Sequence, residues 1–130
     1  EIGKYIVPYD DEGIIQIPVN LPDDQMLIDI ENFSSDKIFK IWKKILLETV
    51  KNKTIFVLQL HPERFHKLEK PLTRLLHESE KYNIWKANLS DISNHFRSNK
   101  NLPSEYVSGL SITGDIDVLN LKDYFLMYEN

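Results

Sequence analysis

Apolar positions along this chain recur with two different periods, and each change of period marks an element. Gly13-Ile14-Ile15-Gln16-Ile17-Pro18-Val19 is a β-branched run behind a turn signal and predicts a strand over 13–19. Pro18 has no N–H, so this strand lies at an edge or ends near Pro18. The loop Asn20-Leu21-Pro22-Asp23-Asp24 follows and is dense in turn formers. From Asp36 to Lys51 the period becomes helical. Ile38, Ile41, Trp42, Ile45, Leu46 and Val50 recur at three- and four-residue steps and make one buried stripe. Ser35 is placed to cap that helix, Asp36 sits at the positive end of its dipole, and Asn52 is a stop. Thr54 to Leu60 is nearly all apolar, the pattern of a strand covered on both faces in a parallel sheet. After His61-Pro62-Glu63-Arg64, a second helix is predicted over Pro71 to Lys81, with Leu72, Leu75 and Leu76 on its buried side and Pro71 in its first turn. A strand over Ile84 to Ala87 and a third helix, capped by Asn88 and carrying Leu89, Ile92 and Phe96 on one face, complete the series.

Strand, helix, strand, helix, strand, helix is the order of right-handed crossover units around a parallel sheet. The tail differs: Tyr106 to Ile112, Ile116 to Leu119 and Tyr124 to Tyr128 read as strands, with Thr113-Gly114-Asp115 as a tight turn. The expected organisation is an α/β unit over 1–100 with a small antiparallel β appendage over 101–130. Three parallel strands are too few to close a barrel, which takes about eight. The chain is therefore expected to be part of a larger barrel or sheet, an excised segment whose missing N-terminal half, or a second copy of itself, covers an apolar inward face.

Composition narrows the function. The chain has 130 residues, enough for one modest core, and its net charge of −4 is not that of a general nucleic-acid binder. Without cysteine there are no disulfides, thiolate metal sites or cysteine nucleophiles. Cytoplasmic and secreted settings both fit that composition. The apolar runs, such as Ile55 to Leu58, are too short to span a bilayer. With only four glycines there is no Gly-rich phosphate loop, and no Gly-x-Ser-x-Gly elbow is present.

Candidate chemistry gathers at strand ends. His61 follows directly on the apolar run that ends at Leu60, so it emerges at a strand's C-terminal end, where parallel α/β folds place ligands and catalytic groups. Pro62 restricts His61 to extended backbone and gives the imidazole a defined direction. Asp23 and Asp24 also follow a strand, and either carboxylate is placed to face His61 and orient its ring, or else to cap a backbone amide in a solvated turn. His77 and His95 read as surface and helix-end residues, and His66 as a loop residue. Tyr106, Tyr124, Phe125 and Tyr128 read as strand packing or as a sugar-stacking surface.

Ile17-Pro18-Val19 with Pro22-Asp23-Asp24, then Val57-Leu58-Gln59-Leu60-His61-Pro62-Glu63, resembles the closing half of polysaccharide deacetylases. Leu75-Leu76, Ile84-Trp85-Lys86-Ala87-Asn88-Leu89, Ile92 and Phe96 are similar to that family's last barrel strand and helix. The likeness covers about residues 13–98. It implies a distorted (β/α) barrel that removes acetyl groups from N-acetylated sugars with a divalent metal such as zinc. It implies that His61 is the catalytic acid that protonates the departing amine, tuned by Asp23 or Asp24, and that Leu60 and Trp85 line the site. The chain departs from the family where the metal is held. The family uses an aspartate and a His-x-x-x-His pair, whereas His61, His66, His77 and His95 include no pair with that spacing, and the aspartate pair of the family's first strand has no counterpart. The resemblance thus implies a fragment that supplies the acid but not the metal ligands and is inactive alone, with metal and carbohydrate bound only in an intact parent. The alternative is a non-catalytic carbohydrate-binding or assembly module derived from such a barrel.

Overall fold

A computed structural model of the chain describes residues 7–115. The strands predicted over 116–119 and 124–128, with Tyr124, Phe125 and Tyr128, lie outside the described residues. The order is β1 (Tyr9–Asp11), β2 (Ile14–Gln16), a short π-helical turn (Met26–Ile30), α1 (Ser35–Asn52), β3 (Ile55–Leu60), a 3-10 turn (Pro62–Arg64), α2 (Phe65–Ser79), β4 (Ile84–Lys86), α3 (Leu89–Phe96) and β5 (Ser108–Gly114).

β3, β4 and β5 form a parallel sheet in the order β3–β5–β4, and β1 and β2 form a separate antiparallel hairpin. Two expectations are corrected here. The segment 13–19 is not a strand of the parallel sheet: Glu12 (φ 51°) and Gly13 (φ 85°) make a tight turn, and Ile14–Gln16 folds back on Tyr9–Asp11. Positive φ at both central residues matches the right-handed twist of a two-residue hairpin. The described part of the tail, up to residue 115, does not pair antiparallel either. Ser108–Gly114 inserts between β3 and β4 and is the central strand, with Gly114 in it rather than in a turn. Its pattern Ser-Gly-Leu-Ser-Ile-Thr-Gly is too polar to announce a central strand, but small residues are what that position needs. A Cβ on Gly109 would lie 2.9 Å from Cγ1 of Ile55.

The described sheet is open, not a closed barrel. Its two faces carry separate cores. On one, Phe56, Leu58, Leu60, Ile84 and Leu110 pack against Ile38, Trp42, Ile45 and Leu46 of α1 and Leu68 and Leu75 of α2. On the other, Ile55, Val57 and Ala87 pack against Ile92 and Phe96 of α3, with Ile15, Ile17 and Trp85 beside them. The second face is thus covered from within the chain, where the sequence led us to expect an exposed apolar surface. β3 is apolar at every position but Gln59 because both of its faces are buried.

The helices begin and end where local chemistry dictates. Ser34, one residue before the predicted cap, accepts from the Lys37 amide, and Lys53 closes α1 in the left-handed region at φ 52°. α3 carries a full capping box between Asn88 and Asp91. α2 starts at Phe65, six residues earlier than predicted, so His66 is helical and Pro71 lies inside the helix. An interior proline costs about 3 kcal/mol in an exposed helix. Here Pro71 is buried on the stripe Leu68–Pro71–Leu75. No helix among the described residues is long and apolar enough to cross a membrane.

Ionic contacts fasten α2 to its surroundings. Arg74 pairs with Asp36 and lies 4.0 Å from the centre of the Phe39 ring. Glu78, buried, receives Lys81 at 2.7 Å and Lys43 of α1 at 3.1 Å, and these two ammonium groups hold its carboxyl below the ordinary range. The folded form therefore favours ionised Glu78. That contribution is fully present above an unfolded pKa of 4.5 and is lost as pH falls through the lower folded value. In denaturant titrations, Glu78→Gln is expected to lower stability at pH 7, and the difference from the wild type should shrink below about pH 4.

Candidate functional site

β3 delivers His61 to the C-terminal edge of the sheet, and two turns then hold it. Pro62 restricts the preceding backbone, and His61 is extended at φ −104°, ψ 117°. The 3-10 turn that Pro62 opens returns the Arg64 amide to the His61 carbonyl at 2.9 Å. His61 itself is 4% exposed.

The loop 20–24 reaches this place by lying along the outer edge of β3. The Asn20 amide donates to the Val57 carbonyl at 2.9 Å, and Asn20 Oδ1 accepts from the Val57 amide at 2.7 Å. Four residues further on both segments, Asp24 meets His61. Each pair is separated by 37 residues, so the loop runs beside β3 in the same direction, as a parallel strand would. Asp23 then ends the run. Its Oδ1 accepts from the Met26 amide at 2.9 Å, which starts the helical turn and leaves Asp24 facing the sheet.

Asp24 is wholly buried, and both of its oxygens are engaged by one residue. Oδ1 lies 2.5 Å from His61 Nδ1, and Oδ2 accepts from the His61 amide at 2.7 Å. A buried carboxylate requires such compensation, because an unpaired charge in apolar surroundings is costly. Further positive charge stands close by. Arg64 feels the charges of Asp24 and Glu63, and its guanidinium is held above its ordinary value chiefly by its hydrogen bonds to Asp29.

A cavity of about 390 Å³ opens beside the pair, lined by His61 with Leu60, Pro62, Phe65, Ile112 and Thr113. Its walls are mainly apolar, and the imidazole is the titratable group in them. At the sheet edge next to it, Asp115 accepts from Gln59 Nε2 at 3.1 Å, and its amide donates to the Leu60 carbonyl at 3.0 Å. An imidazole oriented by a buried carboxylate is suited to passing a proton to or from a bound molecule near neutral pH.

The structure thus separates the two aspartates that the sequence left open: Asp24 pairs with the histidine and Asp23 caps a turn. Leu60 lines the cavity. Trp85 does not. It stands opposite Gly109 in the sheet while Leu60 stands opposite Gly114, so about 16 Å of strand separates them. Trp85 instead packs with the second core, edge-on to His95 and stacked on Tyr106. His77 is exposed, 3.5 Å from Glu80. Sequence reasoning missed Asn20, Asp29, Glu63 and Arg64. The only available signal was that Glu63 and Arg64 follow His61 closely.

Among the described residues no group of three or more His, Cys, Asp or Glu side chains is placed to hold a metal ion. Asp24 has both oxygens committed to His61, so it is not itself placed as a ligand. The metal that the resemblance implies would need ligands from elsewhere. No family model, curated protein or solved structure matches the chain.

Removing each aspartate should have unequal effects. Asp24→Ala strands a buried histidine amide and ring nitrogen and is expected to cost about 3–5 kcal/mol, as when one partner of a buried pair is removed. Asp23→Ala removes one cap and is expected to cost about 1 kcal/mol. Equilibrium unfolding in urea measures both.

Proposed function

We propose that the chain carries the proton-donating half of a carbohydrate N-deacetylase site. In this reading His61 is the general acid. Asp24 holds its Nδ1, so that Nε2 is the atom through which a proton reaches the nitrogen departing from the acetyl group. The observation that carries the reading is the buried Asp24–His61 pair at the C-terminal end of a parallel strand, beside a cavity with apolar walls. Such a pair stabilises imidazolium before the transfer and keeps the ring directed after it. The apolar lining residues Leu60, Ile112 and Phe65 offer an acetyl methyl group a seat.

The reading rests on this pair and not on a barrel. The described sheet is open, and β5 lies between β3 and β4, where sequential winding would set β3 beside β4. Metal ligands and the general base would come from another part of a longer polypeptide. The present chain alone is expected to release no acetate.

The test is acetate release from N-acetylated chitooligosaccharides by the longer reading frame that contains this chain, loaded with zinc or cobalt. His61→Asn is expected to lower kcat by about 10²–10⁴, the range for a positioned general acid. A metal-loaded parent that releases no acetate, or a His61→Asn variant with full activity, would reject the proposal in favour of a binding or assembly module.

A further inference from the structure

Next to the Asp24–His61 pair lies a second polar group that proton transfer does not use. Asp29 lies in the Met26–Ile30 turn, five residues after Asp24, and Arg64 lies in the 3-10 turn, three residues after His61. Arg64 Nε and Nη2 both donate to Asp29 Oδ2, at 3.0 and 2.6 Å, and Nη1 donates to Glu63 Oε1 at 2.9 Å. Glu63 is only 5% exposed, and its Oε2 has no hydrogen-bond partner. One guanidinium thus joins the segment that bears Asp24 to the segment that bears His61.

We propose that Arg64 is a positioning residue for the Asp24–His61 pair, acting as a clamp through Asp29 that keeps the Met26–Ile30 turn seated and so holds the Asp24 carboxylate on the imidazole. This rests on the reading that the pair is the functional site. The core contacts of Leu27 and Ile28 seat the turn, and Arg64 adds a directional polar tie to it. It is a single π-helical turn of five residues, Leu27 and Ile28 are its buried side chains, and Met26 and Ile30 are exposed. A planar fork that donates twice to one carboxylate and once to another fixes orientation as well as distance, which a lysine ammonium cannot reproduce.

The experiment measures solvent exchange of the His61 Nδ1 proton by NMR in this chain, labelled with ¹⁵N at histidine. Asp29→Ala removes a carboxylate whose side chain is 44% exposed, takes away the acceptor of Arg64 Nε and Nη2, and leaves Arg64 paired with Glu63. A denaturant titration establishes that the variant is folded under the conditions of the exchange measurement. The expected result is exchange about tenfold faster in Asp29→Ala, from more frequent local opening of the turn, and a similar acceleration in Arg64→Lys. If Arg64→Lys fails to fold, because Glu63 is stranded, Asp29→Ala decides the matter. A folded Asp29→Ala variant with the wild-type exchange rate would overturn the clamp and leave the Asp24–His61 pair standing. A wild-type Nδ1 proton that exchanges as fast as that of exposed His77 would instead overturn the pair, and the clamp with it.

Discussion

A carboxylate removed from water must be answered by donors, and Asp24 is removed completely. Its two oxygens take the amide and the ring nitrogen of His61. Much of the local architecture exists to make that encounter possible. Asn20 fixes the start of the loop on the edge of β3, Asp23 turns the chain at its end, and Pro62 with the following 3-10 turn sets the backbone of His61. The arrangement also explains why β3 has a protected outer edge. Asn20 satisfies both polar groups of Val57, so the loop occupies the place a further strand would take. Structure and candidate chemistry here share one set of hydrogen bonds.

Much of this was legible in the residues, for identifiable reasons. The stripe from Ile38 to Val50 and the unbroken apolar run before His61 are strong patterns, and they correspond to α1 and β3. His61 at a strand end, Pro62 behind it and an aspartate from the loop at 22–24 placed to face the ring each follow from a local rule, and Asp24 is the aspartate that pairs. Three features were not legible. The Pro71 signal for a helix start was overridden by tertiary burial, since Leu68 and Pro71 belong to the same stripe as Leu75. The hairpin at residues 9–16 was hidden because Ile14–Gln16 is as β-branched as a central strand, and only Glu12-Gly13 marks the reversal. The position of β5 was hidden because a strand with two glycines and two serines carries no apolar signature. It lies at the centre because its small residues permit close approach to β3.

Those misreadings change the architecture more than the site. A three-stranded sheet with a core on each face replaces the half barrel with a bare inner face. The same strand order sets β5 beside His61 and lets Ile112 and Thr113 help to form the cavity. Trp85, by contrast, is removed from the site because β4 is short and pairs with the beginning of β5 rather than its end. Around the pair, opposite charges meet: Asp24 is on the imidazole, and Glu63 and Asp29 are on the Arg64 guanidinium. Each buried charge has an opposite neighbour, which is the condition for keeping ionised groups in such a place.

The most direct test of the central claim is the tautomer of His61, read from long-range ¹⁵N–¹H correlations of the imidazole in the wild-type chain. With Asp24 Oδ1 seated on Nδ1, neutral His61 should carry its proton on Nδ1, and that proton should resonate far downfield. A neutral His61 protonated on Nε2, or one whose ring signals are those of a freely exchanging surface histidine, would contradict the account.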